Sequence, residues 1–280
     1  MMSNENPKVY FILVNYNGEK DTIDCINSIN NSVIYDNYGI IVVDNSPDIK
    51  SFNILKEQDL YNTILIKSEV NNGFAAGCNL GIKKADELGY DYVILLNNDT
   101  IIKTPDLIEQ LLYGFNKYSN AGICGGKIFY FDYPEEVWYA AGYLTKIRLR
   151  AKNRDLDGII ETPFITGCLQ MISKAAIKKV GLLSEEYFML YEDADYCARI
   201  QNTGFKTVYN SQVQIYHKVS KSMPSSSPSS IYYSNRARYI YIKKFCSKHY
   251  LVKISYLFEL VIKLLIYRGE KKKAILKVLR

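Results

Sequence analysis

Short apolar runs separated by segments of helical spacing organise the first 118 residues. Residues 8–16 (Lys-Val-Tyr-Phe-Ile-Leu-Val-Asn-Tyr) have the composition of a buried strand, and Asn17-Gly18 breaks it before a helical segment over about 19–30. A second run, 39–43, ends in Asp44-Asn45-Ser46-Pro47; a helical stretch over 49–58 and a third run over 63–67 follow. Next comes a small-residue segment, Asn71 to Ile82, which enters a helix ending near Leu88-Gly89. Residues 92–96 form a fourth run that stops abruptly at Asn97-Asn98-Asp99-Thr100, before a helix over 104–118. Strands of this length alternating with helices predict an α/β fold with a mostly parallel central sheet covered by helices on both faces. Ligands of such sheets sit outside the carboxyl ends of the strands, so Asp44 and Asp99 should share one edge.

The alternation stops after residue 118. Residues 121–131 and 137–144 read as strands, and 146–157, which contains Lys-Ile-Arg-Leu-Arg-Ala-Lys-Asn-Arg-Asp, reads as a charged, mobile loop. Residues 166–172 form an apolar run that starts at Thr166-Gly167, and Ser173 is placed to cap a short helix through residue 179. Glu192, Asp193 and Asp195 open another helix, where acids suit the helix dipole. Two short strands, 206–209 and 213–216, lead to His217. Residues 220–230 are rich in Ser and Pro and predict a flexible loop, and the chain from Ile231 reads as helical. The expected organisation is a domain over 1–219, with halves at about 8–118 and 119–219, then the loop 220–230 and a helical basic segment 231–280.

Charge refines this picture. The net charge is +6, but residues 236–280 carry 13 Lys and Arg against 2 Glu, a net +11 that leaves −5 for residues 1–235. A basic end attached to an acidic body argues against nucleic acid as a partner and for peripheral contact with an anionic membrane. The run 251–267 is interrupted by Lys253, Glu259 and Lys263 and is not expected to span a bilayer. The six cysteines show no C-x-x-C spacing and are expected to be reduced and mostly buried. With a polar start at Met-Met-Ser-Asn-Glu-Asn-Pro, a cytoplasmic location at the inner membrane face is the expectation.

Several residues are candidates for chemistry. Asp99 offers a hard oxygen ligand at a strand end, and a helix cap is the competing explanation of Asn97-Asn98-Asp99-Thr100. The small side chains of 71–82 allow close backbone approach to a ligand or to a neighbouring strand. One carboxylate of the 192–195 cluster suffices for a general base within reach of a hydroxyl. His217 reads as a metal ligand, a pocket hydrogen-bonding residue or a buried structural histidine.

Taken in order, Val14-Asn15-Tyr16-Asn17, Val42-Val43-Asp44-Asn45-Ser46, Asn72 to Gly81, Leu95-Leu96-Asn97-Asn98-Asp99, Tyr191-Glu192-Asp193-Ala194-Asp195 and His217 resemble the family 2 glycosyltransferases. Within them they are similar to the bacterial rhamnosyltransferase-like branch. The resemblance implies the Rossmann-like GT-A fold and an inverting transfer from a nucleotide-sugar donor, dTDP-rhamnose or a UDP-sugar, to a saccharide or lipid-linked saccharide acceptor. It implies nucleotide-sugar contacts from Asn15, Tyr16, Asn17, Asp44, Asn72, Gly73, Phe74, Gly77, Asn79, Asn97 and Asn98, with Asp44 on the base or ribose. Asp99 and His217 correspond to ligands of Mg²⁺ or Mn²⁺, Asp193 to the general base, and Glu192 to its alternative. The family's D-x-D element is reduced here to Asn97-Asn98-Asp99, with one carboxylate. A catalytically silent sugar-nucleotide-binding or membrane-surface scaffold protein and a nucleotidyltransferase stay open as other readings.

Overall fold

The structure is a computed structural model of the 280-residue chain and describes residues 6–219 and 226–279. Its first half is built from β1 (Val9–Asn15), α1 (Glu19–Ser32), β2 (Tyr38–Asp44), α2 (Ile49–Lys56), β3 (Thr63–Lys67), α3 (Phe74–Leu88), β4 (Tyr92–Leu96), β5 (Thr100–Ile102) and α4 (Leu107–Lys117). Strands β4, β1, β2 and β3 lie side by side in that order, all parallel. Such strands are covered on both faces, which is why β1 and β2 read as near-continuous Val and Ile runs. Alternation along β1 separates the helices: Ile12 and Val14 meet the glycines of α3, whereas Asn15 bonds to Gly18 and Thr22 at the start of α1. Helices α1 and α3 therefore cover opposite faces.

The second half comprises β6 (Ala121–Tyr130), β7 (Val137–Tyr139), β8 (Ala141–Leu144), β9 (Ala151–Arg154), β10 (Ile159–Glu161), β11 (Leu169–Ser173), α5 (Lys174–Val180), α6 (Glu192–Asn202) and β12 (Lys206–His217). The antiparallel strand β11 sits between β4 and β6, and β12 continues the sheet parallel to β6. Through β11 one sheet spans both halves, giving the GT-A kind of mixed α/β architecture. Ser173 caps α5 by accepting from the Ala176 amide at 3.2 Å.

Three local expectations change. Residues 146–157 are not simply a loop: 151–154 form β9, paired antiparallel with β8. Their four side chains are all exposed, so no hydrophobic period marks the strand. The run 137–144 divides at Ala140 into β7, which joins the main sheet, and β8, which joins β9. The two short strands before His217 are one strand, β12, with a register shift between Asn210 and Gln214.

Beyond β12, residues 220–225 of the expected flexible loop lie outside the described residues. Helix α7 (Pro228–Phe245) begins inside the rest of that segment, capped by Ser227, and α8 (Tyr250–Ile266) and α9 (Gly269–Val278) follow. Among the described residues no helix is long and apolar enough to cross a membrane. All six cysteines are free and buried.

Candidate active site

The carboxyl ends of β1, β2 and β4 meet in one hydrogen-bonded network. Asn15, fully buried at the end of β1, donates to Asp44 Oδ1 at 2.8 Å and accepts from Gly18 N and Thr22 Oγ1. Thr22 in turn accepts from Asn98 Nδ2 at 2.8 Å. Asp44 is 1% exposed, and its oxygens are engaged by Asn15, Ser46, Ser51 and Lys67, the last an ion pair at 3.0 Å. It braces the edge through Oδ1, while Oδ2 is held by the Lys67 ion pair and accepts no hydrogen bond. The next residue behaves differently: Asn45 donates to Gly73 O at 3.1 Å, while its own carbonyl oxygen is buried with no partner. An unpaired buried acceptor costs about 1–3 kcal/mol, so Asn45 is a ligand-contact candidate that motif reading passed over. Tyr16 and Asn17 are exposed on the same edge.

The small-residue run serves two purposes. A β-carbon on Gly77 or Gly81 would strike Val14 or Ile12, so these glycines seat α3 on β1. Asn79 is also taken up internally, holding Leu183 through both amide groups and Glu185 through its nitrogen. This ties α3 to the segment before α6, and the amide is not free to contact a nucleotide. Gly73 has φ of +96°, and a β-carbon there would lie 2.0 Å from the Phe188 carbonyl oxygen. Gly73→Ala is therefore expected to destabilise the fold by about 2–4 kcal/mol, from left-handed strain plus a backbone clash. A melting temperature unchanged from wild type would contradict this. Asn72 is exposed beside Gly73, and Phe74 approaches Gly167.

Gly167 connects this edge to the acids of α6. Its amide donates to Asp193 Oδ2 at 3.0 Å, and the Ala194 amide donates to Asp193 Oδ1 at 2.8 Å. Leu190 and Tyr191 both hold left-handed backbones, φ 67°, a strained turn that aims the first residues of α6 into a cleft. The cleft encloses about 390 Å³ and is lined by Trp138, Phe164, Thr166, Tyr191, Glu192 and Asp193 among others. Asp195 has a separate role: fully buried, it accepts from Tyr187, Arg199 and Lys244, anchoring α6 to α7.

The paired acids are unequal. Burial lifts Glu192 to about 8, with the Asp193 charge adding to the shift, and Glu192 Oε2 has no hydrogen-bond partner. Burial also raises Asp193, but the amides of Gly167 and Ala194 oppose that rise. Of two neighbouring carboxyls that resist joint ionisation, Asp193 keeps the charge and Glu192 the proton. A carboxyl that binds its proton more tightly when folded stabilises below its unfolded value near 4.5. That contribution is lost as pH rises towards 8. Glu192→Gln should remove this part of the decline in melting temperature across that window. Parallel curves for variant and wild type would contradict the assignment.

At the end of β4, Asp99 Oδ1 lies 3.0 Å from His217 Nε2, and Asn97 Nδ2 is 3.4 Å from the same nitrogen. Trp138 packs edge-on against the imidazole at 4.5 Å between centroids, so one indole touches both His217 and the cleft. Burial opposes a charge on His217, and the Cys168 sulfur and the Asp99 carboxylate outweigh it, so the imidazole sits above its usual range. Cys168 is the residue sequence reasoning missed most clearly. Its carbonyl accepts from the Asn97 amide, its sulfur lies close enough to act on the charge of His217, and its neighbour Gly167 holds Asp193. Only its place between Thr166-Gly167 and β11 hinted at this.

Asp99 and His217 supply one carboxylate and one imidazole, and among the described residues no three His, Cys, Asp or Glu side chains converge on a cation position. This donor set fits a hard divalent cation that completes its shell with water and substrate phosphates. It does not fit a closed structural site.

A parallel nucleotide-binding type of sheet, opening at its carboxyl edge onto an Asp–His pair and a buried carboxyl pair, defines the class as a GT-A group-transfer fold. The chain belongs to glycosyl transferase family 2, whose family model matches residues 10–181. It is similar to the dTDP-rhamnosyl transferase RfbF of Shigella flexneri, 26% identical over 253 residues that cover 85% of this chain and 81% of that protein. It is also similar to the O-antigen chain rhamnosyltransferase WbaN of Salmonella anatum, 24% identical over 180 residues. That match covers 64% of this chain and little more than half, 56%, of WbaN. Among solved structures, GalNAc-T7 with UDP, GalNAc and Mn²⁺ superposes with a TM-score of 0.70 at 14% identity, over 99% of this chain and 55% of that one. At that identity the likeness concerns the fold. The family match ends before Glu192, Asp193 and His217, whereas the RfbF alignment is long enough to cover most of the chain.

Proposed function

We propose that the chain is an inverting glycosyltransferase that moves a sugar from a nucleotide-sugar donor, dTDP-rhamnose or a UDP-sugar, to a saccharide or lipid-linked saccharide acceptor in bacterial surface polysaccharide synthesis. The observation that carries this reading is the Gly167-Cys168 segment: Gly167 holds Asp193 at the wall of the cleft, and the Cys168 carbonyl holds Asn97, which lies beside the Asp99–His217 pair. The donor diphosphate lies on the Asp99 side, with Tyr16, Asn17, Asn45, Asn72, Gly73 and Asn98 around the nucleotide. Asp44 and Asn15 brace that edge. The acceptor occupies the cleft, where Trp138, Tyr139 and Phe164 offer aromatic surface to a sugar ring.

In the reaction an acceptor hydroxyl oxygen attacks the anomeric carbon from the face opposite the diphosphate. Asp193 takes the hydroxyl proton, the bond from anomeric carbon to diphosphate oxygen breaks, and the nucleoside diphosphate leaves with the bonding pair. A single displacement inverts the configuration. Glu192, holding its own proton, keeps a second negative charge away from the base. Asp99 and His217 would hold Mg²⁺ or Mn²⁺, whose charge stabilises the departing diphosphate. Residues 1–219 make up the transfer domain and 231–280 a basic helical segment that brings it to an anionic membrane from the cytoplasmic side.

Incubation with a panel of sugar nucleotides and a saccharide acceptor tests the reading. Release of nucleoside diphosphate is expected. Pyrophosphate chemistry would make the protein a nucleotidyltransferase, and binding without turnover would make it a scaffold.

A further inference from the structure

Helix α8 has two unlike faces. Val252, Tyr256, Glu259 and Leu260 are buried against the rest of the protein. Every exposed position of the helix is apolar, including Leu251 at 70%, Ile254 at 62%, Phe258 at 65% and Leu265 at 69% exposure. These positions recur at helical spacing, so they form one continuous stripe with no charged side chain on it. Soluble proteins seldom leave a stripe of this extent uncovered unless something binds it. The charges lie at its ends: exposed Lys243 and Lys248 precede the helix, and exposed Arg268, Lys271 and Lys272 follow it. An apolar stripe within a cationic rim matches the layering of an anionic bilayer, with acyl chains below a negative headgroup plane. A second copy of this chain would bring the same positive rims together.

The buried face of α8 reaches the hairpin that walls the cleft. Glu259 is 9% exposed and pairs with Arg238 of α7 at 2.9 Å, and with Arg148 and Arg150 at 3.5 Å each. Arg148 and Arg150 stand in the turn between β8 and β9, and that hairpin supplies Leu144, Lys152 and Asn153 to the cleft wall. Tyr191, at the strained turn before the catalytic acids, donates to Leu149 O in the same turn at 2.7 Å.

We infer that α8 is an interfacial helix: its apolar stripe embeds in an anionic membrane surface, and Glu259 ties the wall of the acceptor cleft to that docked helix. This deepens the proposed function by identifying the docking surface. It presents the cleft to an acceptor carried in the same membrane.

The test is flotation of the full chain with vesicles, a readout independent of sugar transfer. Wild type should float with phosphatidylglycerol-containing vesicles and not with pure phosphatidylcholine. An Ile254→Ser/Phe258→Ser/Val261→Ser variant, altered only at exposed positions, should bind about tenfold or more weakly while keeping its melting temperature. Wild type that stays unbound with anionic vesicles would overturn the proposal. So would equal flotation of the triple variant, or light scattering that shows a wild-type dimer dissolved by the triple substitution. A chain that floats as described but transfers no sugar would keep the docking surface and refute the transferase reading alone.

Discussion

Asp193→Asn is expected to bind the donor nucleotide as wild type does and to lose transfer by about 10²- to 10⁴-fold, the usual worth of general-base assistance. The amide keeps the shape of the carboxylate and can still accept from the Gly167 amide through its oxygen. It cannot take a proton from the acceptor hydroxyl. The loss should therefore appear in turnover, with little change in donor affinity. Glu192→Gln provides the contrast: Glu192 is the member of the pair that holds a proton near neutrality, so its amide is close to isosteric with the working form. Near-wild-type transfer by folded Asp193→Asn, or a larger loss in Glu192→Gln, would exchange or remove these roles.

The second large effect concerns the Asp99–His217 pair. Chelation of divalent cations is expected to abolish transfer, and Mn²⁺ or Mg²⁺ to restore it. Asp99→Asn should lower turnover on the order of 10²-fold and weaken cation-dependent nucleotide binding. With one carboxylate and one imidazole as the proposed protein ligands, loss of Asp99 would remove half of them. His217 Nδ1 is buried without a hydrogen-bond partner, so the ring is oriented by its Nε2 contact with Asp99 and by Trp138 packing against it. Trp138→Ala is accordingly expected to reduce cation affinity as well as acceptor use, measurable as a higher Mn²⁺ requirement. Full activity after complete chelation would remove the cation from the account.

The parts of the fold that could be read in the sequence are those where burial shapes composition. Strands β1, β2 and β4 are buried along nearly their whole length and announce themselves as apolar runs, the half-buried edge strand β3 keeps a shorter one, and Ser173 announces α5 because capping is local chemistry. Strand β9 left no such signal, since its exposed side chains are ordered by pairing with β8 and not by a core. The division at Ala140 and the register shift in β12 are likewise set by partner strands.

The site divides along the same line. Asp99, Asp193 and His217 stand out as polar residues at the ends of apolar runs, and the chain brings them to one region. Asp44 and Asn79 carry equally suggestive motifs, yet Asn79 is taken up by Leu183 and Glu185, and Asp44 Oδ1 by Asn15, Ser46 and Ser51. Hydrogen-bond partners distant in sequence decide whether a motif amide or carboxylate faces a ligand or the interior. Asn45 shows the converse, since its unpaired oxygen is visible only once Gly73 is seen to occupy its nitrogen. Cys168 was silent for the same reason: its importance lies in holding Asn97, remote along the chain, beside His217.

The anomeric configuration of the product is the most direct test of the central claim, a single displacement with Asp193 as the base. Proton NMR of the glycoside formed from a donor of known configuration should show the opposite configuration at the new linkage. A product that retains the donor's configuration would contradict the account.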